Sequence, residues 1–79
     1  DGLEGSDLRI FEALRAYRRE LADAADIPPY IVFSDKVLVE IATRRPADID
    51  EFAEVPGVGE FKLTKYGRGF LKTLRETQG

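Results

Sequence analysis

The ionisable side chains are the groups from which a catalytic site in this chain would have to be built. The 79 residues include fifteen Asp and Glu and twelve Lys and Arg, but no histidine and no cysteine. The usual general base is therefore absent, as are the nitrogen and sulfur ligands that metals most often use. Nearly all carboxylates fall at predicted helix starts or on polar helix faces, and so small a domain has little room for a deep, water-excluding pocket. We predict a domain without a catalytic site, a metal or a cofactor.

Tyr30 is the residue best suited to bind a ligand. It follows two prolines, Pro28 and Pro29, whose rings fix φ and stiffen the backbone. An aromatic ring held out on such a support can stack with a nucleic-acid base, a contact worth roughly 1–3 kcal/mol. The alternative interpretation is that Tyr30 covers the core and leaves its hydroxyl in water.

Basic residues lie on both sides of this Pro-Pro-Tyr segment. Arg18 is at the edge of the apolar stripe, late in the preceding predicted helix, and Lys36 follows the segment. Both side chains could hold phosphates around a base that stacks on Tyr30. The alternative is a solvated face whose charges pair with nearby acids, which is what such patterns usually form.

A tight turn is predicted at residues 55–59 (Val-Pro-Gly-Val-Gly), before the last predicted helix. Amides at the start of the following helix could attract phosphate. We favour the simpler interpretation, in which the glycines permit positive φ in the turn.

The polar face of the last predicted helix carries five basic residues: Lys62, Lys65, Arg68, Lys72 and Arg75. This face could bind nucleic acid, dock on an acidic neighbour or remain in water, and we include Lys62 and Lys65 among the candidate nucleic-acid-binding residues.

Four predicted helices must position these side chains. Apolar residues recur at steps of three and four, which is the period of an amphipathic helix. The predicted helices cover about residues 7–25, 35–45, 49–54 and 60–76. The expected N-caps are Ser6 or Asp7 for the first helix, Ser34 for the second, and Asp48 with Glu51 for the third.

The segments between and within these helices give further expectations. Residues 31–33 (Ile-Val-Phe) could form a strand, but the sequence offers no partner strand, so we predict a buried connector. In the third helix we expect Ile49, Phe52 and Ala53 to face inward. Gly67 falls on the inner face of the last helix, where it would allow close packing.

Length, composition and charge limit the range of possible functions. A chain of 79 residues forms one small domain, which we expect to be excised from a larger protein, with linker at residues 1–6 and a tail at 77–79. No apolar run approaches the roughly 20 residues that span a membrane. The formal net charge of −3 argues against simple nucleic-acid binding, although a local basic patch can act on an acidic surface.

The order and spacing of two motifs resemble those of HRDC domains, which occur in RecQ-type helicases and in ribonuclease D. The signature loop is Ile27-Pro28-Pro29-Tyr30-Ile31-Val32-Phe33-Ser34-Asp35, and the second motif is Val55-Pro56-Gly57-Val58-Gly59. Further matching positions are Leu14 to Ala22, Leu38, Ile41, Ala42, Pro46, Lys62, Tyr66, Gly67, Phe70 and Leu71. The resemblance implies an all-α bundle of about five short helices, with a Pro-Pro-aromatic loop and a helix-hairpin-helix-like turn.

The resemblance also implies an accessory role without chemistry of its own. Such a domain would bind single-stranded or branched DNA weakly and tune the catalytic core of an ATP-dependent RecQ-type helicase. Tyr30 matches the loop aromatic that carries single-strand binding in some members of this family, and Arg15, Arg18 and Arg19 match basic positions of the first helix. The implied setting is the bacterial cytoplasm, close to the nucleoid, in DNA repair and recombination, and we expect a monomer.

Three functions therefore remain open from the sequence. The first is weak binding of single-stranded DNA beside a helicase core. The second is a regulatory module that docks on its own helicase core, which the acidic net charge favours. The third is the ribonuclease D context, in which the ligand would be RNA, and no residue here can be identified as a reader of the 2′-hydroxyl.

Overall fold

Residues 3–78, described by a computed structural model, contain five helices and no strand. The helices are α1 Gly5–Ala25, α2 Pro29–Val32, α3 Asp35–Arg44, α4 Ile49–Ala53 and α5 Glu60–Gln78. The all-α class and the expected number of helices are confirmed. Helices α1 and α5 extend into the segments predicted as linker and tail, of which residues 1, 2 and 79 lie outside the described residues. None of the described helices is long and apolar enough to cross a membrane.

The core is built by apolar side chains from all five helices, and Phe33 lies at its centre. The Phe33 ring is 1% exposed. Its centroid lies 6.3 Å from that of Phe52, 6.1 Å from that of Tyr66 and 5.2 Å from that of Phe70. Tilted and edge-on aromatic pairs of this kind add about 0.5–1.5 kcal/mol each beyond the area they bury. Phe33 therefore joins the segment after α2 to α4 and α5.

The segment predicted as a buried connector is one helical turn followed by an extended residue. Helix α2 starts at Pro29, where the missing amide costs nothing because the first turn has no partner for it. Val32 and Phe33 are buried as expected, but Ile31 is 43% exposed, so the expectation was wrong for Ile31. Successive side chains of a helix point about 100° apart, and three in a row cannot all face the core. Ala53 of α4 was also expected to face inward and is exposed, so that expectation was wrong, because α4 ends at Ala53 and the bundle does not cover its last residue.

The predicted caps of α3 and α4 are confirmed. Ser34 Oγ accepts a hydrogen bond from the Val37 amide at 3.3 Å, and Asp48 Oδ1 accepts one from the Glu51 amide at 2.9 Å. The Glu51 carboxylate accepts a hydrogen bond from the amide of Ala47 at 2.8 Å, one residue earlier than a standard capping box. Each cap satisfies an amide that has no partner within its helix.

The predicted cap of α1 is wrong. The helix starts two residues earlier than a Ser6 cap would place it, with Glu4 as N-cap and no side-chain cap. Arg45 Nη2 instead donates to Ser6 Oγ at 2.9 Å and to Asp7 Oδ1 at 2.7 Å. Arg45 ends α3 in the left-handed conformation, with φ of 49°. Charge-assisted bonds are about twice as strong as neutral ones, so Arg45 outcompetes the local amides for these oxygens.

Two glycines let α5 pack closely against its neighbours. A Cβ at Gly67, on the inner face as expected, would lie 2.8 Å from Ile49 Cδ1 of α4. A Cβ at Gly69 would overlap the hydroxyl of Tyr17 on α1. The Tyr17 ring is held edge-on against Phe70, with centroids 4.8 Å apart. Burial, together with the nearby Glu20 carboxylate, raises the pKa of the Tyr17 phenol above its ordinary value.

Arg18 joins α1 to the segment between α2 and α3. Its side chain is 9% exposed. Nη1 donates a hydrogen bond to the Phe33 carbonyl oxygen at 2.9 Å and forms an ion pair with Asp35 Oδ1 at 2.8 Å. The Phe33 carbonyl lies at the end of α2 and has no helical partner. Asp35 is 71% exposed, so water screens the ion pair. The hydrogen bond to the buried carbonyl is therefore the larger of the two contributions to stability.

Substituting Gly69→Ala should destabilise the fold by about 1–3 kcal/mol, because Tyr17 is displaced from its packed position. In a Tyr17→Ala background the same substitution should stabilise the fold by up to about 1 kcal/mol, because alanine favours the helix over glycine. Urea unfolding of the four proteins in this double-mutant cycle measures the coupling. Equal effects of Gly69→Ala in both backgrounds would contradict the proposed contact.

Substituting Arg18→Met keeps most of the side-chain volume but removes the hydrogen bond to the Phe33 carbonyl and the ion pair with Asp35. We expect the free energy of unfolding to fall by about 1.5–3 kcal/mol, the usual value for a hydrogen bond to a charged group. The matched control is Arg15→Met on the same helix, whose side chain is 54% exposed and lies 3.5 Å from Glu12. The control should change stability by less than about 0.5 kcal/mol. Equal losses in urea unfolding of both variants would show that Arg18 has no special role.

Candidate nucleic-acid interface

Tyr30 is the second residue of α2, and its side chain points away from the core. It is 67% exposed, so the ring covers little of the apolar interior. The turn that carries it is closed by a hydrogen bond of 3.0 Å from the Ile31 amide to the Pro28 carbonyl. Burial of Val32 and Phe33 fixes the turn on the core. The ring is thus presented to solvent on a rigid support, which is the geometry that a stacking contact requires.

Three arginines of α1 meet Pro29 around a shallow depression of about 410 Å³. Its lining consists of Glu12, Arg15, Ala16, Arg18, Arg19 and Pro29. Tyr30 follows Pro29 in α2 but is not among the lining residues. The structure therefore brings the three predicted arginines to Pro29, one residue before the predicted aromatic residue, and we call the arginines, Pro29 and Tyr30 the α2 surface.

The three arginines of the α2 surface differ in what their guanidinium groups can reach. Arg18 is buried, and its Nη1 is bonded to the Phe33 carbonyl and paired with Asp35, so it ties α1 to the segment after α2. Arg15 and Arg19 are exposed. Arg15 shares a surface ion pair with Glu12 at 3.5 Å, which is weak enough to be replaced by a phosphate.

The predicted lysines divide between this surface and another part of the molecule. Lys36 is exposed in the first turn of α3, one residue after the Asp35 that Arg18 binds. Lys62 reaches the same segment from α5, with Nζ 5.9 Å from the centroid of the Phe33 ring. Lys65 does not join them, because its Nζ lies over the rings of Phe61 and Tyr66, at 5.5 and 5.6 Å.

The glycine turn before α5 has a structural explanation. Gly57 adopts φ of +91°, and a Cβ there would lie 2.6 Å from Val37 Cγ2. Both the backbone conformation and the packing therefore require glycine, as the favoured interpretation of the sequence holds. Glu54 and Glu60 are exposed on either side of the turn, and their charges oppose a phosphate at this place.

Phe61 is a candidate that the sequence reasoning missed. It is 72% exposed, more than Leu8, Tyr30 or Ile31, the other large apolar side chains found exposed in residues 3–78. Lys65 follows it four residues later on the same face of α5. An aromatic residue on the polar face of a predicted helix is a signal that a helical wheel could have shown.

The charges of the domain are separated between its surfaces. The four ion pairs within residues 3–78 use arginines of α1 and of the C-terminal end of α3, and none involves a lysine or arginine of α5. The acidic residues of α4 and its ends are exposed: Asp48, Asp50, Glu51 and Glu54. The net charge of −3 is therefore an average over one acidic surface and two basic ones.

Comparison with known proteins places these features in a family. Residues 7–74 match the family model of the HRDC domain. The chain is 44% identical over 66 residues to the ATP-dependent DNA helicase RecQ of Bacillus subtilis, covering 84% of this chain and 11% of that protein. It is 39% identical over 75 residues to RecQ of Haemophilus influenzae, covering 95% of this chain and 12% of that protein. The chain thus spans about a tenth of the length of these relatives.

A solved structure supports the same assignment. The D. radiodurans RecQ HRDC domain 3 superimposes with a TM-score of 0.88 at 35% sequence identity, covering 91% of this chain and 95% of that one. The match therefore extends over nearly the whole bundle. Sequence motifs, helix order and these matches agree that the chain belongs to the HRDC domain family.

Proposed function

We propose that this domain binds single-stranded DNA weakly as an accessory unit of a larger RecQ-type helicase, and thereby tunes the substrate choice of the catalytic core. The observation that carries the proposal is the exposed ring of Tyr30 beside the depression lined by Arg15, Arg18 and Arg19. The names of the relatives, both ATP-dependent DNA helicases RecQ, support the context. On this proposal the chain is one domain of a longer protein.

Binding at the α2 surface combines one stacking contact with a few phosphate contacts. A base stacks on Tyr30, while Arg15, Arg19 and Lys36 hold the phosphates that flank it. Arg18 acts as a positioning residue, because its bonds to Phe33 and Asp35 fix the segments that carry the ring and Lys36. The stack contributes roughly 1–3 kcal/mol, and so small a contact gives a weak complex.

The role of such a domain in the parent protein is to bind and not to react. Because the domain is covalently linked to the helicase core, even a weak site raises the concentration of the bound strand near that core. Strand capture by the α2 surface would then favour substrates that offer a single-stranded segment within reach. On this proposal the domain needs no cofactor, and ATP hydrolysis belongs to the core.

Substituting Tyr30→Ala should weaken binding of a labelled oligo-dT roughly five- to 150-fold, the equivalent of 1–3 kcal/mol. Fluorescence anisotropy at low salt measures the affinity of the isolated chain. The matched control is Ile31→Ala, which shortens the neighbouring exposed side chain of the same helical turn. This control should leave affinity unchanged, because isoleucine has no π-face.

The salt dependence of the same titration gives an independent readout. With about three phosphates held, the logarithm of affinity should fall against the logarithm of salt concentration with a slope near −2. A slope near zero, or equal effects of Tyr30→Ala and Ile31→Ala, would contradict binding at the α2 surface.

The acidic surface of α4 favours a second candidate, a regulatory module that docks on its own helicase core. Asp50 and Glu54 are exposed there, and their charges would repel nucleic acid but could meet a basic protein surface. On this proposal the isolated domain binds oligonucleotides poorly. Reversing both charges to lysine in the parent protein should alter unwinding as much as deleting the domain does. Unwinding that is unchanged by the deletion, across several substrates, would exclude this candidate.

A further inference from the structure

One face of α5 carries only aromatic and basic side chains. Its members follow one another at alternating steps of four and three residues, which places them on one side of a helix. They are Phe61, Lys65, Arg68, Lys72 and Arg75, and all five are exposed. Phe70, Leu71 and Leu74 face the core from the opposite side of the same helix. We call the exposed set the α5 face.

The cations of the α5 face have no anionic partner within residues 3–78, because none of the ion pairs found there includes them. Three acids lie nearby: Asp48 lines a depression with Arg68 and Arg75, and Glu20 and Glu76 line another with Lys72. Asp48 has a role within the fold. Its Oδ1 accepts a hydrogen bond from the Glu51 amide at 2.9 Å as the cap of α4. Four adjacent, unpaired positive charges on a chain of net charge −3 are suited to an anionic ligand from outside.

Phe61 indicates which anionic ligand fits. A single exposed apolar side chain is ordinary on a protein surface, but this ring begins a row of cations, and Lys65 Nζ lies 5.5 Å from its centroid. An acidic protein segment would satisfy the cations and leave the ring in water. A nucleotide satisfies both, because its base stacks on the ring while its phosphate reaches the lysine.

The α5 face is separate from the α2 surface. Phe33, which follows α2, packs on Phe70, and Phe70 lies on the side of α5 turned away from Phe61. Tyr66 lies between the two surfaces, because it packs on Phe33 and shares the Lys65 ammonium with Phe61. A helix rises about 1.5 Å per residue, so the α5 face is roughly 20 Å long and can accommodate several nucleotides. The α2 surface and the α5 face therefore form two distinct places for a strand.

We propose that the α5 face is a second single-strand-binding site, in which a base stacks on Phe61 and the following phosphates lie along Lys65, Arg68 and Lys72. This inference rests on the proposed function in one respect, that the domain binds single-stranded nucleic acid. It adds a site that neither the loop motif nor the glycine turn contains. A domain with two such sites can hold two segments of one strand, or two arms of a branched substrate.

Single-tryptophan variants test the two sites separately. The chain contains no tryptophan, so Phe61→Trp and Tyr30→Trp each introduce one reporter at an exposed position. Titration with oligo-dT at low salt should quench the fluorescence of both reporters, because a stacked base contacts the indole. The quenching of Phe61→Trp should persist when Tyr30→Ala is added.

A pair of matched charge variants tests the phosphate contacts. A strand held only at the α2 surface gives a slope near −2, and one that also follows the α5 face gives a slope near −4. Lys65→Gln with Lys72→Gln should reduce the steepness by about 1.4, or 0.7 for each phosphate that is no longer held. The control, Arg9→Gln with Arg44→Gln, removes the same charge from exposed positions on α1 and α3. It should leave the slope unchanged, and equal slopes of the two double variants would overturn the inference.

The reporters also distinguish failure of this inference from failure of the proposed function. Quenching at Tyr30→Trp with no response at Phe61→Trp overturns the α5 site and leaves the α2 surface intact. Quenching at Phe61→Trp alone supports the α5 site and removes Tyr30 from the interface. No response from either reporter, with no binding in anisotropy, overturns both.

Discussion

The anchoring of Phe33 is the constraint on which the rest of the interface depends. Its ring fills the centre of the core against Phe52, Tyr66 and Phe70, and its carbonyl accepts a hydrogen bond from the buried Arg18. A helix of four residues has no stability of its own. Helix α2 keeps its shape because the residue that follows it is held at both ring and backbone.

Because of this anchoring, the buried and the exposed residues of the segment have different roles. The buried residues, Val32, Phe33 and Arg18, fix the backbone, so Tyr30 can be exposed without being mobile. A ring that is already positioned loses less conformational freedom when a base stacks on it, and preorganisation of this kind improves affinity. Arg18 contributes through position, although its charge alone would have suggested direct contact with a phosphate.

The distribution of charge explains how an acidic chain can offer basic surfaces. Several carboxylates are used within the fold, at the cap Asp48 and in the pairs that Asp7 and Asp35 form with Arg45 and Arg18. Others are exposed on α4, where Asp50, Glu51 and Glu54 form no ion pair within residues 3–78. At physiological salt the screening length is about 8 Å, so a ligand close to one surface responds mainly to the charges of that surface. The net charge therefore opposes the approach of nucleic acid at long range but does not exclude local contact.

The sequence by itself determined the features that depend on near neighbours in the chain. The period of the apolar residues indicated the long helices, and the caps Ser34 and Asp48 could be identified because each bonds an amide three residues away. The Pro-Pro-Tyr segment and the glycine turn, both local motifs, indicated the HRDC family. The exposure of Ile31 and the single turn of α2 were missed, because a short apolar run has no period to measure.

Only the tertiary structure decided which distant side chains meet. Arg45 binds Ser6 and Asp7 across 39 and 38 residues, and Arg18 reaches the Phe33 carbonyl across 15. No spacing rule encodes such pairs, since they form only when packed helices bring their ends together. For the same reason, the sequence named Arg18 as a candidate phosphate contact but could not show its burial or its hydrogen bond to the Phe33 carbonyl.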